Sequence, residues 1–170
     1  SDTMRSYLAG LLTYADDITF FLAPYINSYK RFAEATFAPT KAVWSIDNRT
    51  AGYRIVAPET ASVRIECRVG GSDLNPYLAI AAQLAAGLKG MADNLPLEDA
   101  CAGNAYLADG ARDIPRTLRA ATAALRDSHM LREAMGDAVV DHYVRCGEWE
   151  QEDFDRKVTD YERKRCFERA

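Results

Sequence analysis

The sequence predicts an α+β fold, in which a small antiparallel sheet of about three strands packs with several helices. Apolar residues recur at three- and four-residue spacing between Leu8 and Leu22, which is the period of an amphipathic helix. Between residues 42 and 69 apolar residues alternate with polar ones, as they do in strands, and helical spacing returns after Gly71. Helix, strands and then helices is an element order typical of an α+β domain with antiparallel pairing.

The first helix is expected to end before Pro24, because proline cannot continue a helix. A loop over 25–40 follows, and Asn48 with Arg49 marks a turn or bulge between two short strands. The clearest strand is 63–69, where apolar and charged residues alternate: Val63, Arg64, Ile65, Glu66, Cys67, Arg68 and Val69. Such a strand presents one apolar face and one charged face.

The rest of the chain is predicted to be helical. Asn75 followed by Pro76 is typical of a helix start with an asparagine cap, and this alanine-rich helix runs to about Met91. The further predicted helices are 115–127, 131–145 with an end near Gly147, and one from about residue 152 to the C-terminus.

Composition indicates a single globular domain. The 170 residues are 48% hydrophobic and 27% charged, with a net charge of −4. We divide them into a leading helix (1–26), a loop-and-strand segment (27–70) and a helical part (71–170). The four cysteines form no C-x-x-C motif, and we see no signal peptide, so we expect reduced thiols and a cytoplasmic protein. The acidic balance and the lack of a long apolar stretch argue against nucleic-acid and membrane partners.

The charge is unevenly distributed along the chain. Segment 27–70 carries seven basic and four acidic residues: Lys30, Arg31, Lys41, Arg49, Arg54, Arg64 and Arg68 against Glu34, Asp47, Glu59 and Glu66. Arginine forks bind phosphate and carboxylate oxygens bidentately, and a carboxylate among them can hold a divalent metal. The segment therefore suits a metal-bound polyphosphate. A half-exposed strand with surface ion pairs, or a phosphate-binding surface without catalysis, explains the same residues.

An ordered series of short motifs resembles the C-terminal part of the glutamine synthetase family's catalytic domain. The motifs are Asn27-Ser28-Tyr29-Lys30-Arg31, Ala38-Pro39, Trp44-Ser45, Asn48-Arg49-Thr50, Tyr53-Arg54-Ile55, Arg64-Ile65-Glu66-Cys67-Arg68 and Asn75-Pro76-Tyr77-Leu78-Ala79. The resemblance covers the whole chain and is tight over 27–90. It implies the C-terminal half of such a domain and an ATP-dependent ligase that makes γ-glutamyl amides through γ-glutamyl phosphate.

The resemblance also implies roles for particular residues. Arg31, Arg49 and Arg68 would bind the glutamate substrate. Arg49, Arg54 and Arg64 would contact the phosphates of ATP, with Arg49 and Arg64 acting in catalysis. Glu66 would ligate Mg²⁺ or Mn²⁺. Positioned cations and a metal stabilise a phosphoryl group in transfer, which agrees with the charge pattern.

One departure from the family concerns the amine. Ammonia-using members carry a glutamate six residues after the arginine that matches Arg31, where this chain has Phe37. A carboxylate there would attract ammonium, whereas phenylalanine offers an apolar wall. Together with the closing segment 161–165, this favours an organic amine, as in γ-glutamylputrescine synthetase-like members. The alternative is a true glutamine synthetase that uses ammonia, with Glu34 as the carboxylate.

Other family features are absent or weakly matched. The upstream metal-binding glutamates and histidine are not in this sequence, so we expect the chain alone to be inactive and the full-length parent to be a homo-oligomer. Tyr106 lies near the position of a tyrosine that is adenylylated in some members, but its surroundings match poorly, and we interpret it as a loop tyrosine. A non-catalytic phosphate-binding or assembly module is the competing class.

Overall fold

A computed structural model describes residues 1–34 and 36–169. Its elements in chain order are α1 (Asp2–Thr13), α2 (Ala15–Leu22), a 3-10 helix (Ile26–Arg31), β1 (Trp44–Ile46), β2 (Tyr53–Val56), β3 (Arg64–Cys67), α3 (Pro76–Ala92), a second 3-10 helix (Ala105–Leu107), α4 (Leu118–Asp127), α5 (His129–Met135), α6 (Asp137–Asp155) and α7 (Asp160–Phe167). The α+β class and the three-stranded sheet are therefore confirmed. None of the described helices has the length and apolar composition needed to cross a bilayer.

The sheet has the order β1-β2-β3, and its pairing corrects the expectation of a purely antiparallel sheet. Strands β2 and β3 are antiparallel, whereas β1 and β2 are parallel. Parallel neighbours usually need a long crossover. Here β1 has only three residues and is about 10 Å long. The connecting segment 47–52 can span about 20 Å when extended, which is enough to run back along β1 to the start of β2. Asp47 begins this return with a left-handed backbone (φ 48°).

Helices α1 and α3 form the closest helix contact of the fold. Gly10 and Gly90 face each other, and a Cβ added to Gly10 would lie 2.2 Å from the carbonyl oxygen of Ala86. Gly87 makes room in the same way for the ring of Tyr7. Glycine is required at these positions because the backbones approach each other without space for a side chain.

The apolar face of the sheet covers this helical layer. Tyr53 and Ile55 on β2 are buried, and Ile65 and Cys67 on β3 pack against the same core. The predicted alternation is therefore confirmed, since the residues between them, Arg54 and the charged residues of β3, lie on the opposite face.

Several helix boundaries differ from the expected ones. The first helix is divided at Tyr14, where Asp16 and Asp17 place acidic side chains in the first turn of α2, a favourable position for negative charge. Gly136, with φ 87°, ends α5 and precedes α6, which continues through Gly147 to Asp155. The helix expected from residue 115 starts at 118, and the last one occupies 160–167. In contrast, Asn75 caps α3 with Pro76 at its first position, as predicted.

Candidate active site

The charged face of β2 and β3 brings predicted site residues into contact. The antiparallel register places Arg54 directly opposite Glu66. Arg54 Nη1 lies 3.2 Å from Glu66 Oε2, and Arg68 Nη1 binds Glu66 Oε1. Cross-strand and same-face neighbours lie within reach of long side chains, which explains how the carboxylate is held between two guanidinium groups.

Arg68 connects this carboxylate to two other segments. Its Nε donates to the carbonyl oxygen of Arg49 at 3.1 Å, and its Nη2 donates to the carbonyl oxygen of Phe37 at 3.0 Å. All three nitrogens of one guanidinium group therefore have a partner on a different part of the chain. These three bonds fix the Arg68 side chain in place, and only 17% of it is exposed to solvent.

Arg54 has a second carboxylate partner, Asp47, which the sequence did not indicate as a site residue. Arg54 Nε lies 3.0 Å from Asp47 Oδ1, and Nη2 binds the same oxygen. This hydrogen bonding and the charge of Arg54 hold the pKa of Asp47 below its ordinary value. The sequence does contain a feature that could have indicated Asp47 as a site residue. It is one of only four acidic residues in segment 27–70, and it adjoins the Asn48-Arg49 turn.

Arg31 reaches the site from the first 3-10 helix. Its Cζ lies 4.8 Å from the centroid of the Phe32 ring, which is a cation–π contact, and its Nη2 donates to the carbonyl oxygen of Val69. Burial lowers the pKa of the Arg31 guanidinium, and the negative charge of Asp73 opposes this shift. Ser28 Oγ donates to Asp73 Oδ2 at 2.6 Å, so Asp73 is itself fixed near Arg31.

A shallow concavity of about 350 Å³ joins these groups. Its lining includes Arg31, Glu66 and Arg68 together with Thr36 and Phe37 from the preceding loop. A larger cavity of about 650 Å³ lies between α2 and α6, but aromatic side chains dominate its wall and none of the arginines of segment 27–70 lines it. The smaller concavity is the better candidate site because three of the six predicted residues meet there.

The other three predicted residues, Arg49, Arg54 and Arg64, do not line the concavity. Arg54 lies beside Glu66, and the backbone of Arg49 is bound to Arg68. Within residues 1–34 and 36–169, the exposed side chain of Arg49 makes no hydrogen bond or ion pair. Arg64 is also exposed and donates to the carbonyl oxygen of Ser62 at 3.3 Å. Arg49 and Arg64 thus have guanidinium groups open to an incoming anion.

The described residues do not form a metal site by themselves. Glu66 is the type of ligand that Mg²⁺ takes, but both of its oxygens are ion-paired with arginines. Across the part of the chain that the structure describes, no group of three or more histidine, cysteine, aspartate or glutamate side chains is placed to hold a metal. Glu66 can therefore supply one ligand of a larger set, and no catalytic step follows from a metal held by these residues alone.

Fold and site together define an α+β protein in which the charged sheet face, the first 3-10 helix and the turn after β1 supply the arginines of a candidate anion-binding site. Residues 1–166 match the family model described as glutamine synthetase, catalytic domain. The chain belongs to this family. It is 47% identical over 169 residues to the gamma-glutamylethanolamide synthetase GlnA4 of Streptomyces coelicolor, covering 99% of this chain and 36% of that protein.

Two further relatives and a solved structure agree with this assignment. The type-1 glutamine synthetase 2 of Dictyostelium discoideum is 40% identical over 99% of this chain and 33% of its own length. The glutamate–isopropylamine ligase of a Pseudomonas species is 35% identical over 95% of this chain and 36% of its own length. A solved GmaS/ADP complex superimposes with a TM-score of 0.86 at 29% identity, over 99% of this chain and 40% of that one. The chain thus spans about a third of the length of these curated relatives.

Proposed function

We propose that this protein is an ATP-dependent ligase that joins the γ-carboxyl group of glutamate to an amine through γ-glutamyl phosphate. The observation that carries the proposal is the cluster of Arg31, Glu66 and Arg68 around one concavity, with Arg49 and Arg64 open beside it. The family membership and the relatives named as ligases of glutamate with amines support it.

The proposed reaction uses the arginines as fixed positive charge. A γ-carboxylate oxygen of glutamate attacks the γ-phosphorus of ATP and ADP leaves. The amine nitrogen then attacks the acyl carbon, phosphate leaves, and the nitrogen gives up one proton to water. Negative charge spreads over the phosphoryl oxygens during the first step, and the exposed guanidinium groups of Arg49 and Arg64 would bind it. Arg31 and Arg68, at the concavity, would orient the glutamate carboxylates. When bound, Mg²⁺ or Mn²⁺ would neutralise phosphate charge, with Glu66 as one ligand.

These 170 residues are proposed to be one side of the site and to have no ligase activity alone. Glu66 is the single metal ligand assigned here, and the curated relatives are almost three times as long as this chain. We therefore expect further acidic ligands to come from sequence outside these residues. Homo-oligomeric assembly of the longer protein and a cytoplasmic location remain predictions.

We propose an organic amine as the acceptor. Phe37 is 56% exposed at the rim of the concavity and offers its ring, not a carboxylate, to an arriving amine. The carbon chain of an organic amine gains roughly 25 cal/mol for each Å² of apolar surface that it buries, whereas ammonium gains nothing from such contact. The relatives named for ethanolamide and isopropylamine products support this class. Within it, a polyamine such as putrescine remains the narrower prediction.

The test is a competition assay with the full-length protein. Glutamate, ATP and Mg²⁺ would be supplied with equal concentrations of ammonium, ethanolamine, isopropylamine or putrescine. We expect an organic amine to be preferred, and Phe37→Glu to move the preference toward ammonium by about tenfold, the effect of about 1.4 kcal/mol. Phe37→Leu is the matched control, because it changes the ring but adds no carboxylate.

The same assay separates the alternatives. Preference of the wild type for ammonium would support a true glutamine synthetase, for which the exposed Glu34 of the same loop supplies a candidate carboxylate. No turnover with any amine, together with retained ATP binding, would support a non-catalytic phosphate-binding module.

A further inference from the structure

The segment 101–107 is attached to the turn that carries Arg49. Ala105 N donates to Thr50 Oγ1 at 2.9 Å, and Asn48 Nδ2 donates to the carbonyl oxygen of Gly103 at 2.7 Å. Asn48 Oδ1 in turn accepts from Thr50 Oγ1 at 2.7 Å. The segment is therefore held against the Asn48-Arg49-Thr50 turn by side chains on the turn itself.

From this position Tyr106 reaches residues 36–38, which form the rim of the concavity. Its hydroxyl donates to the carbonyl oxygen of Ala38 at 3.0 Å, in a part-buried contact between residues 68 positions apart. The preceding carbonyl, that of Phe37, accepts from Arg68 Nη2 at 3.0 Å. Two successive carbonyl groups of the rim are thus bound by two side chains that come from different parts of the chain.

The backbone at this point needs such support. Phe37 has φ 58°, a left-handed conformation that is unfavourable for a bulky side chain. Residues in such conformations persist only where surrounding contacts determine them. Within the described residues, the hydrogen bonds to the carbonyls of Phe37 and Ala38 are the long-range ones that hold this turn. Thr36 Oγ1 adds only local bonds, to Arg31 O and Ala33 O and from Ala38 N.

We propose that Tyr106 is a positioning residue for acceptor selection: its hydroxyl holds the rim so that the Phe37 ring faces the concavity. The identity of the acceptor rests on the proposed function, whereas the hydrogen bond from Tyr106 to Ala38 is present in the structure. Because segment 101–107 also binds the Arg49 turn, Tyr106 fixes the distance between the rim and an anion-binding arginine. It does not touch the reacting atoms.

The first experiment measures the rim directly and requires no activity. Hydrogen exchange of the purified full-length protein would be followed by mass spectrometry on peptides covering residues 36–38. We expect Tyr106→Phe, which removes only the hydroxyl, to accelerate exchange there by about threefold to tenfold, the effect of one hydrogen bond. Tyr77→Phe is the control, since Tyr77 is 85% exposed on α3 and lies outside the concavity. Unchanged exchange in Tyr106→Phe would overturn the proposal.

The second experiment uses the full-length protein. We expect Tyr106→Phe to raise KM for the organic amine by about threefold to tenfold while KM for ATP stays within about twofold. A merely structural role would change both constants or lower kcat alone, and that outcome would overturn positioning. If the wild type shows no ligase activity, the proposed function fails, while faster exchange at 36–38 still supports Tyr106 as the residue that holds the rim.

Discussion

The α1–α3 helical contact and the charged face of the sheet are stabilised in opposite ways. Between the helices, Gly10 and Gly90 let the backbones touch, and neighbouring Leu8, Leu11 and Leu12 are buried almost completely. On the sheet face, long arginine side chains share carboxylates and backbone carbonyls and stay partly exposed. The first arrangement depends on shape, and the second on paired charge. The contrast teaches that the sheet separates a closely packed apolar core on one face from the paired charges of the candidate site on the other.

The pKa values of two aspartates, one in each kind of environment, are shifted in opposite directions. Asp16, at the start of α2, has a raised pKa, chiefly because burial removes water from the carboxylate, with Arg112 opposing the shift and Asp17 adding to it. Asp47, on the sheet face, has a lowered pKa, chiefly because Arg54 hydrogen-bonds its carboxylate. Burial outweighs the charge of Arg112, whose Nε lies 3.8 Å from Asp16 Oδ1, whereas direct hydrogen bonding to Arg54 favours the charged form of Asp47.

The largest expected effect tests the shape-dependent region. Gly10→Ala should lower the free energy of unfolding by about 3 kcal/mol, because its Cβ would overlap the carbonyl oxygen of Ala86 and the backbone must move. Urea unfolding of the chain measures this. Ala81→Ser, on the exposed face of α3, is the control and should stay within about 0.5 kcal/mol of wild type. Equal midpoints for both variants would show that the helices do not approach this closely.

A smaller effect is expected on the sheet face. Glu66→Gln removes the charge that Arg54 and Arg68 share and should lower the free energy of unfolding by about 1 kcal/mol, a value kept small because the carboxylate is 35% exposed to water. The effect should shrink in 1 M NaCl. The control is Asp160→Asn, whose pair with Arg163 is highly exposed and should contribute nothing measurable. A loss as large as that of Gly10→Ala would remove the distinction between the two regions.

The smallest effect concerns pH. Since the folded-state pKa of Asp16 lies above its unfolded value, the folded protein binds this proton first, and stability rises as pH falls through the folded pKa toward the ordinary value of 3.8. We expect Asp16→Asn to raise the Tm at pH 7 and to lose this advantage near pH 4. Asp47→Asn should behave oppositely, because a lowered folded pKa contributes stability at neutral pH that is lost on acidification. The Asp47 contribution is lost as pH falls below the ordinary value of 3.8. Thermal unfolding between about pH 2 and about pH 7 therefore tests both residues, and parallel curves for the two variants would contradict the contrast.

Local patterns predicted much of the fold. Alternation in β3 separated the apolar face from the charged one, and the Asn75-Pro76 pair marked the start of α3 correctly. The motif series identified the segment that forms the concavity. These features depend on neighbouring residues, which a single sequence displays directly.

The remaining features depend on contacts between distant residues. The parallel direction of β1 follows from the return of residues 47–52, which is specified by the left-handed conformation of Asp47 and not by an alternation pattern. The bond from Tyr106 to Ala38 and the pairing of Asp47 with Arg54 are side-chain contacts that become visible only after the chain has folded. Propensity also cannot locate a helix break at Tyr14, which is an acceptable helix residue.

The three engaged nitrogens of Arg68 have a consequence for ligand entry. A guanidinium group has five N–H donors, and the bonds to Glu66, the Arg49 carbonyl and the Phe37 carbonyl use three of them. One N–H group on each terminal nitrogen is left over within the described residues. An anion in the concavity would bind these two donors while the three existing bonds persist. Arg68 would thereby bind the anion and hold the edge of the concavity at the same time.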